Sequence, residues 1–193
     1  MSAPLERRAA MARLVEGRDD GLLVVPGLGS TTYDLAAAGD DDRNFYLWGA
    51  MGGAAMIGLG LALAQPAKWV AVITGDGEML MGMGALATIG IQQPPNLAVI
   101  MFDNGVYGET GGQPSHTAGG VDMVAVARGA GFPTCVDVSD EAGLADLADR
   151  LKVLDGLLFA RVAIRAEEPP RVLPEKDGTV LKRRFRAALG LTP

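Results

Sequence analysis

The sequence predicts an α/β domain built on a mostly parallel sheet with helices on both faces, and three observations predict it. Apolar runs of strand length, at 69–74 and 97–102, lack the alternation of a sheet with one wet face, so they read as strands buried on both sides. Such runs alternate with helix-length segments along the chain, the pattern of βαβ units. The two runs also end in polar, glycine-rich corners, Gly75-Asp76-Gly77-Glu78 and Asp103-Asn104-Gly105, separated by the length of one turn, helix, loop and strand. One such crossover sets its strands parallel and brings its two loops side by side.

Taken in order, residues 4–16 have helical periodicity, with Pro4 near the start and Gly17 just past the end. A buried strand at 21–25 runs into Pro26-Gly27-Leu28-Gly29-Ser30, where Ser30 or Thr31 is placed to cap a helix beginning near Thr32. A strand near 45–47 and a helix at 53–64, stopped before Pro66, follow. The strand at 69–74 leads to a helix over 79–92, closed by Pro94-Pro95. The strand at 97–102 leads to a long glycine-rich loop, 103–120. A helix at 121–130, a strand at 134–138, a helix at 140–153 and a strand at 157–164 complete the alternation. From Glu167 onward the character changes: Pro169, Pro170, Pro174 and Asp177-Gly178 break the pattern. The stretch 179–189 then reads as a basic amphipathic helix that packs on this domain or on a neighbour. It is short, with Phe185 as its one aromatic residue, which disfavours a lipid surface.

Composition narrows the classes. A chain of 193 residues, 49% hydrophobic, supplies one substantial core, so residues 1–193 read as a single domain with 167–193 as tail and helix. The net charge of −6, without a Lys/Arg stripe, argues against nucleic acid as partner. The single cysteine, Cys135, lies in the apolar run 134–138 and reads as a core thiol, which excludes an internal disulfide and fits a reducing compartment. The opening Ser2-Ala-Pro-Leu-Glu-Arg-Arg8 lacks the apolar core of a secretion signal. The longest apolar stretch, 50–64, is interrupted by glycines and shorter than a bilayer span. The expectation is a soluble, cytoplasmic protein with no membrane partner.

Ligands of open α/β sheets bind at the carboxyl ends of the strands, where Asp76 and Asn104 are expected. A carboxylate and an amide oxygen meeting there, with backbone carbonyls nearby, make a hard-oxygen site suited to a magnesium ion that also holds phosphate. Gly75 and Gly77 let the backbone approach a bulky anion, towards which the following helix would turn its first amides. Each corner alone is also what an ordinary turn would use. The specific signal is the pair at this spacing.

That pair resembles the diphosphate-binding motif of the thiamine diphosphate-dependent enzymes, Gly-Asp-Gly followed one crossover later by Asn-Asn, with Asp103 here in place of the first Asn. The resemblance implies the family's thiamine diphosphate-binding fold, with thiamine diphosphate and Mg²⁺ as cofactors and Asp76, Asn104 and the main-chain oxygen of Val106 as metal ligands. It counts Gly29, Ser30, Gly75, Gly77 and Glu78 among the cofactor contacts and leaves the role of Asp103 open. Upstream, Asn44-Phe-Tyr-Leu-Trp-Gly49-Ala-Met51-Gly-Gly-Ala54 resembles the segment that cradles the aminopyrimidine ring. There the Gly49 carbonyl would accept a hydrogen bond from the 4′-amino group, and Met51 would wedge the cofactor into its bent shape. The alternative is that 49–60 is a small-residue helix packed closely on the sheet.

Enzymes of this family also need a glutamate from a separate pyrimidine-binding domain, and one sheet uses the whole length of this chain. The resemblance therefore implies a beta-type subunit of a hetero-oligomer, α2β2 or larger, whose alpha-type pyrimidine-binding subunit supplies that glutamate. Pro26-Gly-Leu-Gly29, Arg43-Asn-Phe-Tyr46, Leu86-Ala-Thr-Ile89 and Gly111-Gly-Gln-Pro114 add a resemblance to the decarboxylases of sulfopyruvate and phosphonopyruvate. This implies a carboxy-lyase giving an aldehyde and CO₂ from a small 2-oxoacid substrate. On loop 103–120, Glu109 and His116 are the titratable candidates for catalytic work, each otherwise a solvated surface group; Gln113 either orients a substrate carboxylate or ties the loop down. Two further readings stand beside this one, an acetolactate-synthase-like carboligase subunit and a non-catalytic cofactor-binding or scaffold subunit. A nucleotide-binding domain is disfavoured, since neither a GxGxxG turn with its acidic partner nor a Walker A lysine is present.

Overall fold

The computed structural model describes residues 4–153 and 156–192, so residues 1–3, where the reading of the leader began, lie outside it. The strands are β1 (Leu22–Pro26), β2 (Trp69–Gly75), β3 (Leu97–Asp103), β4 (Val106–Tyr107), β5 (Gln113–Pro114), β6 (Thr134–Val138) and β7 (Leu158–Ala163). The helices are α1 (Arg7–Val15), α2 (Ser30–Ala38), α3 (Ala54–Ala64), α4 (Asp76–Met81), α5 (Gly84–Gln92), α6 (Met123–Gly129), α7 (Glu141–Lys152) and α8 (Gly178–Ala188). Five strands form one parallel sheet in the order β1-β2-β3-β7-β6. The expected α/β class, with helices on both faces, is therefore found.

Successive side chains of a strand point to opposite faces, and β3 divides the core accordingly. Ala98, Ile100 and Phe102 join one cluster with Met11 and Leu14 of α1, Leu35 of α2 and Leu144 and Leu147 of α7. Leu97, Val99 and Met101 join the other, with Leu59 of α3, Leu86 and Ile89 of α5 and Met123 of α6. Every residue of β3 is buried, which explains the unbroken apolar run. The tail closes on this domain: Leu181 enters the first cluster and Phe185 the second, its ring edge-on to Phe45 at 5.1 Å. Asp177 caps α8 through the amides of Thr179 and Val180.

Three elements differ from the sequence expectation. The segment 45–47 is not a strand. Its pairing with β1 is one isolated bridge, Asn44 beside Val24, made by the Val24 amide on the Arg43 carbonyl (3.0 Å) and the Phe45 amide on the Val24 carbonyl (2.8 Å). The buried Asn44 side chain accepts from Arg18 (2.7 Å) and donates to the Tyr46 hydroxyl (2.9 Å). The helix expected over 79–92 is two helices starting at Asp76, broken at Gly82-Met83 where the Gly82 backbone meets Gly52. Helix α2 starts at Ser30 rather than near Thr32, with Gly29 as its N-cap and no side-chain cap. Thr31 and Thr32 instead donate back to the Gly27 carbonyl at 2.9 and 2.8 Å. Cys135 is half-buried at the margin of the second cluster rather than within it. Among the described residues, no helix is long and apolar enough to cross a membrane.

Candidate functional site

Parallel pairing of β2 and β3 puts Gly75 opposite Phe102. Asp76 and Asn104 thus leave adjacent strand tips on the same edge of the sheet. Both line one cleft, with a cavity volume of about 100 Å³. Ser30, Met51, Gly75, Gly77, Glu78, Val106 and Glu109 line it too, joined by Arg7 and Tyr107, which the sequence reading did not single out. Gly29, Gly49 and His116 are not among the lining residues. His116 is exposed, with its Nδ1 2.9 Å from the Tyr107 hydroxyl.

Asp76 is 3% exposed. Ser115 donates its hydroxyl hydrogen to Asp76 Oδ2, and Thr117 Oγ1 stands 3.2 Å from the same oxygen. Burial pushes the Asp76 carboxyl above its ordinary pKa, the Ser115 hydrogen bond pulls it down, and the neighbouring Asp103 charge pushes it up again. The Asn104 amide oxygen accepts from the Val106 amide at 3.0 Å, turning the chain so that 104–106 border the cleft. Strands β4 and β5 then pair in a two-residue hairpin, and the Ser115 amide donates to the Gly105 carbonyl at 2.8 Å. This hairpin folds loop 103–120 back over the strand tips.

Glu78 is 3% exposed, and its Oε2 accepts from the Leu28 amide (3.0 Å) and the Thr74 hydroxyl (2.9 Å). Burial raises its pKa, opposed by the Thr74 hydroxyl and by the amides of Ala54, Gly52 and Leu28. The carboxylate thus ties the loop at 27–28 to the start of α4. Ser30 Oγ accepts from Arg7 Nη1 at 3.0 Å, and Arg7 is held by the fully buried Asp34 at 2.9 Å. Glu109 pairs with Arg171 of the tail at 3.0 Å, whose guanidinium lies over the Tyr33 ring. Met51 is 42% exposed at the rim, following Ala50, whose φ of +61° is unusual for a residue bearing a Cβ.

The donor set can be tested against a diphosphate and a divalent cation. Among the described residues, no three His, Cys, Asp or Glu side chains gather as a metal site. A cation here would rest on one carboxylate, one amide oxygen and a main-chain oxygen, completed by phosphate and water, which is how Mg²⁺ commonly sits on phosphates. The backbone can receive such an anion. A Cβ at Gly75 would meet nothing within 4 Å, whereas one at Gly77 would strike the Tyr107 ring at 2.7 Å. The set fits the pair.

The charged partner of Asp103 is a further feature that the sequence reading missed. Its Oδ2 takes Arg161 Nε at 2.6 Å, and Arg161 Nη1 reaches Asp137 at 2.9 Å. A lone arginine inside the apolar run 157–164 was the available signal.

Residues 29–159 match the family model for the thiamine pyrophosphate enzyme, C-terminal TPP binding domain. The chain is 37% identical over 195 residues to the phosphonopyruvate decarboxylase of Streptomyces viridochromogenes, covering 97% of this chain but 47% of that protein. It is 35% identical over 181 residues to the sulfopyruvate decarboxylase subunit beta of Methanothermobacter thermautotrophicus, covering 94% of each. Benzoylformate decarboxylase from Polynucleobacter necessarius shares the fold, with a TM-score of 0.72 at 20% identity over 88% of this chain and 35% of its own. With the matched region reaching from the Gly29 loop through both strand tips, the chain belongs to the thiamine pyrophosphate enzymes, as their C-terminal TPP-binding domain.

Proposed function

We propose that this chain is the beta-type subunit of a thiamine diphosphate- and Mg²⁺-dependent decarboxylase acting on a small 2-oxoacid that carries a second anionic group. The observation that carries the reading is the pair Asp76 and Asn104 at adjacent strand tips, lining one cleft. The names of its relatives support the substrate class, since sulfopyruvate and phosphonopyruvate both bear such a group. When bound, the cofactor supplies the nucleophilic carbon and the electron sink that make loss of CO₂ feasible.

The chain's own residues bind and orient. Asp76, Asn104 and the Val106 carbonyl would hold Mg²⁺, with Ser115 keeping the Asp76 carboxylate in one orientation. Gly75 leaves bare backbone for the diphosphate, whereas the side of Gly77 expected to be open is packed by the Tyr107 ring; Ser30, the first residue of α2, lines the same cleft. In this reading Met51, half-exposed at the rim of the cleft, would serve as the wedge for the cofactor and the Gly49 carbonyl would accept from its amino group. Glu109 borders the same cleft and is the better placed acid–base candidate; His116 is bonded to Tyr107, which lines it.

The chain spans 47% of the length of the phosphonopyruvate decarboxylase it matches. An alpha-type, pyrimidine-binding partner supplies the activating glutamate in this reading, and a relative named subunit beta supports it. The test is to co-express the chain with that partner, then measure Mg²⁺-dependent thiamine diphosphate binding by calorimetry and CO₂ release from a panel of 2-oxoacids. The expected result is binding, CO₂ and an aldehyde product, with binding lost in Asp76→Ala. Condensed hydroxy-acid products would point to a carboligase, cofactor binding without turnover to a scaffold subunit, and unchanged binding in Asp76→Ala would overturn the clamp.

A further inference from the structure

The position where this chain departs from the Asn-Asn motif is the centre of a hydrogen-bonded chain. Asp103, the last residue of β3, is 5% exposed, and all its contacts are directed. Oδ2 receives Arg161 Nε at 2.6 Å, while Oδ1 receives the Thr117 hydroxyl at 2.7 Å and the Gly105 amide at 3.1 Å. Thr117 Oγ1 lies 2.8 Å from Ser115 Oγ and 3.2 Å from Asp76 Oδ2. A hydroxyl has one hydrogen to give. The shorter contact assigns that of Thr117 to Asp103, and that of Ser115 goes to Asp76 Oδ2. Ser115 thus holds Asp76 by Oδ2, the Thr117 oxygen lies beside that same atom with no hydrogen left for it, and neither hydroxyl bonds Oδ1.

Two carboxylates therefore flank a single threonine hydroxyl in a buried place, an arrangement that their mutual repulsion opposes. Arg161 offsets it. It comes from β7, the neighbour of β3, two register positions before the residue facing Asp103, and its other end is held by Asp137 of β6. With a neutral asparagine at position 103, the guanidinium would face an amide and lose its carboxylate.

We propose that Arg161 and Asp103 form a positioning pair for the cation ligand: the arginine fixes Asp103, Asp103 fixes Thr117, and the loop 115–117 holds Asp76 with one oxygen turned to the metal. The pair touches neither metal nor substrate. It acts through the Thr117 hydroxyl, which fixes the loop 115–117, and so through the Ser115 hydroxyl that donates to Asp76, as partners of ligating carboxylates commonly do. The inference rests on the reading of Asp76 as a Mg²⁺ ligand.

The test uses the complex with its partner and reads binding rather than turnover. Calorimetric titrations of thiamine diphosphate are made at several Mg²⁺ concentrations for wild type, Arg161→Gln, Arg161→Lys, Asp103→Asn and the double variant Asp103→Asn with Arg161→Gln. Loss of a partner behind a metal ligand commonly costs about 10–100-fold in metal affinity. Arg161→Gln is expected to raise the Mg²⁺ concentration needed for half-maximal binding about tenfold, with binding regained at saturating Mg²⁺. Arg161→Lys should fall between the two, and the double variant should recover most of the loss, because an amide pair needs no counter-charge. A defect that persists at saturating Mg²⁺, or a double variant as weak as the sum of its parts, would overturn the proposal as mere structural damage. If Arg161→Gln fails to fold, Asp103→Asn alone carries the test, with a Mg²⁺ requirement raised several-fold expected and an unchanged one overturning it. Wild type that binds no thiamine diphosphate refutes the reading of the site; variants that bind like wild type refute the pair alone.

Discussion

Gly52 and Gly82 meet backbone on backbone: a Cβ built on Gly82 would stand 2.2 Å from the Gly52 carbonyl oxygen. The contact joins the turn that carries Met51 to the end of α4, whose first residue is Asp76. The two halves of the proposed cofactor cradle are thereby set relative to each other. Gly82→Ala is expected to destabilise the protein by about 1–3 kcal/mol, as overpacking does, since neither neighbour is a side-chain tip that can swing away. Urea melts measure the loss, and thiamine diphosphate affinity should fall with it; an alanine variant as stable as wild type would falsify the contact.

Asp34 stands behind the other wall. It is 0% exposed, lies 2.9 Å from Arg7 Nε as an ion pair, and accepts from Arg7 Nη2 at 3.3 Å and Arg8 Nε at 3.2 Å, yet burial still pushes its pKa up against both arginines. Removing one member of a buried pair leaves an uncompensated charge, at a cost of about 3–5 kcal/mol. Asp34→Ala should lower stability by that order in denaturant titration. It should also release Ser30, which Arg7 anchors together with the Glu167 carbonyl. A change below 1 kcal/mol would show that the pair is solvated in solution.

The two titratable residues of the loop should separate kinetically. Glu109 lines the cleft, while His116 is outside it and bonded to Tyr107. With the partner present, Glu109→Gln is expected to cut turnover roughly 10²-fold with cofactor affinity little changed, the usual scale for an acid–base group. His116→Ala should cost less than tenfold. Steady-state rates on the best 2-oxoacid decide it, and a larger loss in the histidine variant would transfer the role through Tyr107.

Acid stability has a named contributor. Asp41 accepts from Arg43 Nη2 at 2.6 Å and pairs with Arg18 at 3.0 Å, and the Arg43 hydrogen bond leads in holding its carboxyl far below the usual range. A folded pKa below the unfolded value means stabilisation that is complete above the unfolded value, about 4, and lost as pH falls towards the folded one. The Tm gap between wild type and Asp41→Asn should be constant from about pH 7 to 5 and shrink below about pH 4. A gap that widened on acidification would contradict the assignment.

The sheet was readable because burial on both faces leaves a direct trace in strands such as 97–103, where no polar residue interrupts the run before Asp103. The crossover spacing placed Asp76 and Asn104 for the same reason, local sequence fixing local geometry. Phe45-Tyr46-Leu47 misled because an apolar run signals burial, not pairing, and the segment makes one isolated bridge to β1 through the Arg43 carbonyl and the Phe45 amide. The break at Gly82 depends on a contact with Gly52, which no local pattern encodes. The hairpin in loop 103–120 had a trace in Gly105, Gly111 and Gly112, all at positive φ, but its register comes from the fold. Arg161 and Asp103 are far apart in the chain and meet only once β7 lies beside β3.

Gly27 and Glu78 share one volume: a Cβ on Gly27 would lie 1.8 Å from the Glu78 Oε2. The two positions are therefore not free to drift separately during evolution. A side chain at 27 would have to push the Glu78 carboxylate off the Leu28 amide and the Thr74 hydroxyl, whereas a short residue at 78 would leave room for it. Engineering that exchanges this segment between homologues should move both residues as a unit.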